Sequence, residues 1–346
     1  MTLGIIDVGT NSIHLLIGVL GITGKFHVIL KERDLTRLGE GGLARDRLTR
    51  ASMTRAMGVL RRYAAMLKRC GVDHVEAVAT SAVREAKNGP EFVRQVRAKL
   101  GIPLRIVSGK EEARLIYLGV VQAHHLKGEI LVITIGGGSA QVIQANGAHV
   151  KYVTSVQLGC ARLSQLFIHH DPPLPEEMAA LRAHIARVWS SVARSLRPGK
   201  TQQVLASSAT IAQVMMAAYI LAHGGPPKTK ERIQVGPRDL QDLAAQLSRT
   251  SADERIRFPG LDPRREDLAL PTVLVLLGWM EAAGVKRVRY APGSLREGLV
   301  MDYLIRHHLG QTKPIEHPLE ALWSNGDGML WVGKERNRIA KRSARA

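Results

Sequence analysis

Aromatic side chains are scarce here: Phe, Trp and Tyr together make up 4% of the 346 residues. Proteins that stack single-stranded bases need exposed rings, so the shortage argues against nucleic acid as the main partner. Cysteine is rarer still, with Cys70 and Cys160 alone and no metal-ligand spacing between them. So few thiols in a long chain point to a reducing compartment, and each reads as a small packing residue. No uncharged apolar run reaches the ~18 residues of a membrane span. The N-terminal "MTLGIIDVGT" lacks the basic segment and long apolar stretch of a signal peptide. These absences predict a soluble, cytoplasmic protein with no membrane partner. Acidic groups are also in deficit: 30 Asp and Glu stand against 49 Lys and Arg, a net charge of +19. A surplus that large attracts polyanions by long-range steering.

Apolar residues, at 45%, suffice for two cores of ordinary size. "LGIIDVGTNSIHLLIGVL" reads as a hairpin with a polar, glycine-containing tip, and "FHVILKERD" as a third strand. Over about residues 49–69 the apolar positions Met53, Met57, Leu60, Tyr63 and Leu67 recur at helical spacing. Strand, helix, strand and helix follow in "HVEAVA", "TSAVREA", "PLRIV" and "KEEARLIYLGVVQAHH". The order β-β-β-α-β-α-β-α fills the first 125 residues or so. "GEILVITIGGGSAQVI" then repeats the opening plan: Asp7 and Thr134, like Gly9 and Gly136, are 127 positions apart. Two copies of a strand–glycine turn–strand unit predict two similar lobes with a ligand cleft between them. The expected domains are residues 1–125 and residues 126–310, the closing helix at about 294–309 packing back on the first lobe. A basic tail is expected at 311–346, ending in "KERNRIAKRSARA".

In the first turn Asp7 ends a strand, and Gly9, Thr10, Asn11 and Ser12 form the tip. Gly9 allows a positive φ and close backbone approach. Hydroxyls, an amide and backbone N–H groups suit a phosphate, and Asp7 suits a hydrated Mg²⁺ or an ordered water. In the second turn Gly136, Gly137, Gly138 and Ser139 offer a backbone cradle. Each turn alone also fits an ordinary tight bend. Their matching places in a duplicated unit favour phosphate. "SSAT" at 207–210 opens a helix, where capping and anion binding are both open readings. Glu111 and Glu112 begin another helix. Adjacent carboxylates diverge on a helix, so one can face the cleft and the other solvent, although the helix dipole alone would favour both. Arg264 and Arg265 either border the cleft or are solvated.

In this order, "DVGTNSIHLLI", "TRLGEG", "ATSAVREAKN", "SGKEEARLIYLGV", "IGGGS", "LGCARL" and "GSLREGL" resemble the motifs of the exopolyphosphatase/guanosine pentaphosphate phosphohydrolase (Ppx/GppA) family, over residues 3–308. The resemblance implies an α/β fold of two RNase H-like lobes, of the actin/Hsp70/sugar kinase superfamily, with an interlobe cleft. It implies metal-assisted removal of a terminal phosphate from inorganic polyphosphate or a guanosine polyphosphate. Glu112 matches the family's catalytic glutamate, which activates water. Asp7 matches a carboxylate that helps hold Mg²⁺ (or Mn²⁺) or water. Gly9, Thr10, Asn11 and Ser12 match the first phosphate loop, Gly137, Gly138 and Ser139 the second, and Arg84 an arginine at the cleft. Family members often dimerise, which leaves a homodimer open here.

The departures are specific. Where the family usually has Asp and Glu around the second glycine turn, this chain has Thr134 and Gln141. The metal site is then poorer by two charges, since neutral oxygens are weaker Mg²⁺ ligands. Ala206 and Ala209 stand where the third loop often has glycines. Nothing resembles the helical HD-type domain of longer members, so the short form is expected. Two functions follow: a polyphosphate hydrolase, or a catalytically weak member that binds polyphosphate or guanosine polyphosphates.

Overall fold

The computed structural model describes residues 1–21, 26–123, 128–147, 149–196 and 203–309, and the basic tail lies outside them. The strands β1 (Thr2–Val8) and β2 (Ile13–Leu20) form the first hairpin, and β3 (Phe26–Asp34) adds antiparallel to β2. The helix α1 (Arg50–Arg69) starts where the Thr49 side chain accepts from the Ser52 amide. Its residues Ala56, Val59, Leu60, Tyr63 and Leu67 are buried, a stripe at helical spacing. Then come β4 (His74–Ala79), α2 (Ser81–Glu85), α3 (Gly89–Leu100), β5 (Leu104–Ile106) and α4 (Gly109–Ala123). The sheet order is β3-β2-β1-β4-β5, with β1, β4 and β5 parallel.

The helix α3 is one more than the sequence order contains. Asn88 is its N-cap and Pro90 sits in the first turn, where a missing N–H costs nothing. Phe92, Val93 and Val96 then bury the helix against the first core.

The second half repeats the plan with β6 (Glu129–Ile135), β7 (Ala140–Asn146), β8 (His149–Val156), α5 (Cys160–Phe167), α6 (Pro175–Ala193) and β9 (Gln203–Ser207). It continues through α7 (Ala209–His223), β10 (Gln234–Val235), α8 (Pro237–Leu247), α9 (Ala252–Arg255), α10 (Glu266–Ala282), β11 (Val288–Tyr290) and α11 (Leu295–Leu304). Its sheet runs β10-β11-β9-β6-β7-β8. Read from β8, the order β8-β7-β6-β9-β11 matches β3-β2-β1-β4-β5 strand for strand, and β10 is an added antiparallel edge. The register repeats too. Asp7 pairs with His14 as Thr134 pairs with Gln141, and the bulges at Ile17/Gly18 and Gln144/Ala145 fall at equivalent places.

The helices α4 and α11 lie between the two sheets. Leu115, Val120, Leu299 and Tyr303 share one buried cluster with Leu3 and Ile5 of the first sheet and Ile130 and Val132 of the second. Glycines bring the two helix backbones together: a Cβ on Gly298 would sit 1.7 Å from the Leu115 carbonyl oxygen, and one on Gly119 2.2 Å from that of Ser294. Among the described residues no helix is long and apolar enough to cross a membrane.

Candidate active site

The two hairpin turns face each other across an open cleft of about 900 Å³. They touch at its floor. A Cβ on Gly137 would lie 3.0 Å from Thr10 Cβ, and one on Gly138 would lie 2.3 Å from Ser81 Oγ. Here the glycines are used for space between lobes, not for unusual backbone angles: Gly9, Gly136, Gly137 and Gly138 are not among the glycines with positive φ. Of the two freedoms that Gly9 allows, a positive φ is not used here. Gly9 closes the first turn by donating its N–H to the Ser12 carbonyl at 3.0 Å, and Gly136 closes the second by donating to Ser139 at 2.8 Å.

Both turns have their carbonyls drawn away from the cleft. In the first, Gly39 donates to the Thr10 carbonyl and Arg37 to that of Asn11, each at 2.9 Å, so "TRLGEG" clasps this turn. In the second, the Cys160 and Arg162 amides reach the carbonyls of Gly136 and Gly137 at 3.0 Å, and Arg162 Nε reaches that of Gly138 at 3.1 Å. "LGCARL" is the second clasp. A trans peptide points its N–H opposite to its C=O. The amides of Asn11, Ser12, Gly137, Gly138 and Ser139 therefore turn away from the clasps. Among the described residues no hydrogen bond uses those five donors. Donors arranged in this way suit an anion. The Cys160 thiol is pushed up to about 11 by burial, so it stays protonated and serves packing.

Glu111 and Glu112 diverge at the start of α4. Glu111 pairs with Arg105 at 2.6 Å at the surface, whereas Glu112 is buried and lines the cleft. Burial pushes its carboxyl up to about 7; Arg84 pulls it down, and Asp7 and Glu85 push it further up. Arg84 donates to Glu112 at 2.8 Å, to the Val107 carbonyl at 3.2 Å and to Glu85 at 3.5 Å. It does not line the cleft. Two carboxylates and a carbonyl hold Arg84 behind Glu112. Glu85 in turn accepts from Ser81 at 2.7 Å and pairs with Arg162, which ties Glu112's support to the second turn's clasp. Asp7, at the end of β1, is raised to about 6 by burial against the opposing pull of Arg296. Among the described residues no hydrogen bond reaches its carboxylate. "SSAT" both caps and lines: Ser208 accepts from the Ile211 amide at 3.0 Å, and residues 207–210 all border the cleft.

The profile of the Ppx/GppA phosphatase family matches residues 21–307. The chain belongs to that family. It resembles the crystal structure of an Aquifex aeolicus Ppx/GppA family member with a TM-score of 0.72 and 26% identity, over 89% of this chain and 99% of the other. A crystal structure titled as an exopolyphosphatase from Cytophaga hutchinsonii superposes with a TM-score of 0.78 and 26% identity, over 88% and 98%. A Haemophilus influenzae protein named "Putative exopolyphosphatase" is 29% identical over 298 residues, 85% of this chain and 89% of its own length. The two-lobed α/β fold is thus the family's fold.

Family membership raises the question of a metal. Among the described residues no three His, Cys, Asp or Glu side chains gather as a cage. Thr134 lines the cleft, but Gln141 does not: its amide is turned away, donating to Ser139 Oγ at 2.8 Å and Ser155 Oγ at 3.3 Å. Asp7 and Glu112 remain, close enough for Asp7 to raise Glu112. One or two carboxylates suit a Mg²⁺ that keeps most of its waters and takes further oxygens from substrate phosphates. The donor set fits a metal carried in with the substrate.

Sequence reasoning missed His14 and Arg296 on the cleft wall and left Arg265 undecided. Arg265 is buried, lines the cleft and donates to Ser12 Oγ at 2.7 Å, while its Nε has no partner among the described residues. Burial and nearby Arg33 draw it down to about 10, still protonated at neutral pH. It lies 253 positions from Ser12, so no local pattern connects the two.

Proposed function

We propose that this cleft removes the terminal phosphate from inorganic polyphosphate. The supporting observation is a buried glutamate of near-neutral pKa, Glu112, set beside two opposed turns with five uncommitted N–H donors. The turns take the non-bridging oxygens of the terminal phosphate, with Arg265 adding positive charge beside Ser12. Glu112, whose carboxyl burial raises toward neutrality, takes a proton from water in its ionised form as the water oxygen bonds to phosphorus. The bridging P–O bond breaks, and the shortened chain leaves with the electron pair. Arg84 fixes the Glu112 carboxylate and limits the rise in its pKa. Asp7 would hold Mg²⁺ or Mn²⁺, which when bound neutralises charge developing on phosphoryl oxygens. Catalysis is then positioning and electrostatics. Among the described residues the cleft wall carries no Phe, Tyr or Trp to stack a guanine, which favours inorganic chains over guanosine pentaphosphate. The +19 net charge steers such chains to the protein.

The test is phosphate release from long-chain polyphosphate with Mg²⁺ or Mn²⁺, beside guanosine pentaphosphate. No release above a Glu112→Ala control under either metal sinks the hydrolase reading. A second reading, binding with little turnover, is favoured by Thr134 and Gln141. It predicts that Thr134→Asp with Gln141→Glu raises turnover sharply; a parent that is already fast rules it out.

A further inference from the structure

Four arginines around the cleft already have carboxylate partners. Arg84 pairs with Glu112, Arg162 with Glu85, Arg37 with Asp267 and Arg33 with Asp262. Arg296 differs. It lines the cleft, and its hydrogen-bond partners are neutral: Nε donates to Ser294 Oγ at 3.4 Å and Nη1 to His14 Nδ1 at 3.2 Å. Among the described residues it forms no ion pair with a carboxylate. Both bonds are long, and a guanidinium carries five N–H donors. Most of its donor capacity is therefore unspent beside the Asp7 end of the cleft.

The fold fixes this side chain in place. Ser294 caps α11, and the glycine contacts between α11 and α4 lock the first turn of α11 to the helix that carries Glu112. Arg296 and Glu112 thus move as one unit. His14 stands across the hairpin from Asp7. Burial, together with Arg296, Arg265, Arg33 and Lys31, holds its imidazole well below the ordinary range, so it is neutral and can accept through Nδ1. It aims Arg296 without cancelling its charge.

We propose that Arg296 is a substrate-binding residue whose guanidinium grips non-bridging oxygens of a phosphate group at the Asp7 end of the cleft. The planar fork of N–H donors matches phosphate oxygens. Asp7 and Glu297 act on Arg296 only through space, with no ion pair among the described residues, so its remaining N–H donors are open to an anionic ligand. The inference rests on the reading of the cleft as a phosphoanhydride site.

The experiment is calorimetric titration of the full chain with inorganic tripolyphosphate, in EDTA, in a Glu112→Gln background that suppresses turnover. Adding Arg296→Gln weakens binding about 10- to 100-fold, the worth of a charge-assisted hydrogen bond. Arg296→Lys, which keeps the charge and loses the fork, falls between. Arg61→Ala, on the exposed face of α1, changes binding less than about twofold and controls for lost net charge. The loss persists when Asp7→Asn is added; if it vanishes there, Arg296 acts only by offsetting Asp7 and the inference is overturned. Equal binding by Arg296→Gln and its background also overturns it, while leaving the reading of the cleft intact. A background that does not bind tripolyphosphate overturns both. Thermal melts check folding, and should Arg296→Gln unfold, undiminished binding by Arg296→Lys decides against the inference.

Discussion

The turn at 7–12 and the turn at 134–139 share a backbone: the same closing hydrogen bond, the same strand register and a bulge at the same place in the following strand. Their side chains have diverged. The first places Asp7 opposite His14, and the second Thr134 opposite Gln141. The N–H donors suited to an anion belong to peptide groups, so both turns carry them. Titratable side chains have collected on one lobe, where burial raises both Asp7 and Glu112 and Asp7 pushes Glu112 further up. The second turn supplies neutral donors and close packing. Duplication gave two cradles, and only one is paired with titratable groups.

The strongest way to break this comparison is to exchange the charges. Glu112→Gln is expected to lower kcat for polyphosphate hydrolysis by about 10²- to 10⁴-fold, the range for a lost general base. Asp7→Asn is expected to follow with at least about a tenfold loss and a raised Mg²⁺ requirement. Thr134→Val, in the equivalent place of the second turn, should cost less than about threefold, since Thr134 brings no charge. A loss at Thr134 matching that at Asp7 would show that the two turns are chemically equivalent after all.

The pH dependence carries the next largest effect. Below about pH 4.5 Glu112 is protonated in both folded and unfolded chains and contributes nothing. Between 4.5 and about 7 the unfolded chain ionises first while the folded one keeps its proton, so stability falls as pH rises. Above about 7 the deficit is constant, ~3 kcal/mol at most. Urea midpoints of the ligand-free protein should therefore decline through this window, and Glu112→Gln should flatten the decline. Activity runs the other way, rising through pH 7 as the base ionises. A flat stability profile in the parent would mean that Glu112 is not desolvated.

Packing tests the second turn. Gly138→Ala puts a methyl 2.3 Å from Ser81 Oγ and 2.7 Å from Thr10 Oγ1. Forced overpacking of this kind costs about 1–3 kcal/mol. Gly136→Ala meets nothing nearer than the Ser139 carbonyl oxygen at 3.4 Å, and its melting temperature should stay close to the parent's. Similar losses at both positions would mean that the glycines serve backbone freedom and not the fit between lobes.

What could be read from the sequence were features carried by a few consecutive residues. Asp7, the two glycine tips and the paired glutamates of α4 each announce themselves within about six positions, and the 127-residue repeat shows that the tips belong together. What could not be read depends on chain segments meeting at long range. Arg265 meets Ser12 across 253 positions and Arg296 meets His14 across 282. Arg84 shows the converse limit: its motif marks it as belonging to the site, but only the Glu112 contact reveals that it faces the carboxylate and not the cleft. The clasps were legible only as motifs, because "TRLGEG" acts through backbone amides and "LGCARL" through backbone amides and one arginine, whose partners lie far along the chain.

That last point yields the smallest expected effect and the finest test of the comparison. The first turn is clasped by the amides of Arg37 and Gly39, so the Arg37 side chain is not part of the clasp. It reaches Asp267 at 2.8 Å, in an ion pair exposed enough to be screened. Arg37→Ala should therefore cost no more than about 0.5 kcal/mol in urea unfolding and leave tripolyphosphate binding within about twofold. The second turn is clasped partly by a side chain, Arg162 Nε, which is buried and paired with Glu85. Arg162→Ala strips the carbonyl of Gly138 and leaves Glu85 without its buried partner, and should weaken both stability and tripolyphosphate binding well beyond Arg37→Ala. If Arg37→Ala proves the more damaging, the first turn depends on its salt bridge across the cleft, and the two cradles are held by different physics from that argued here.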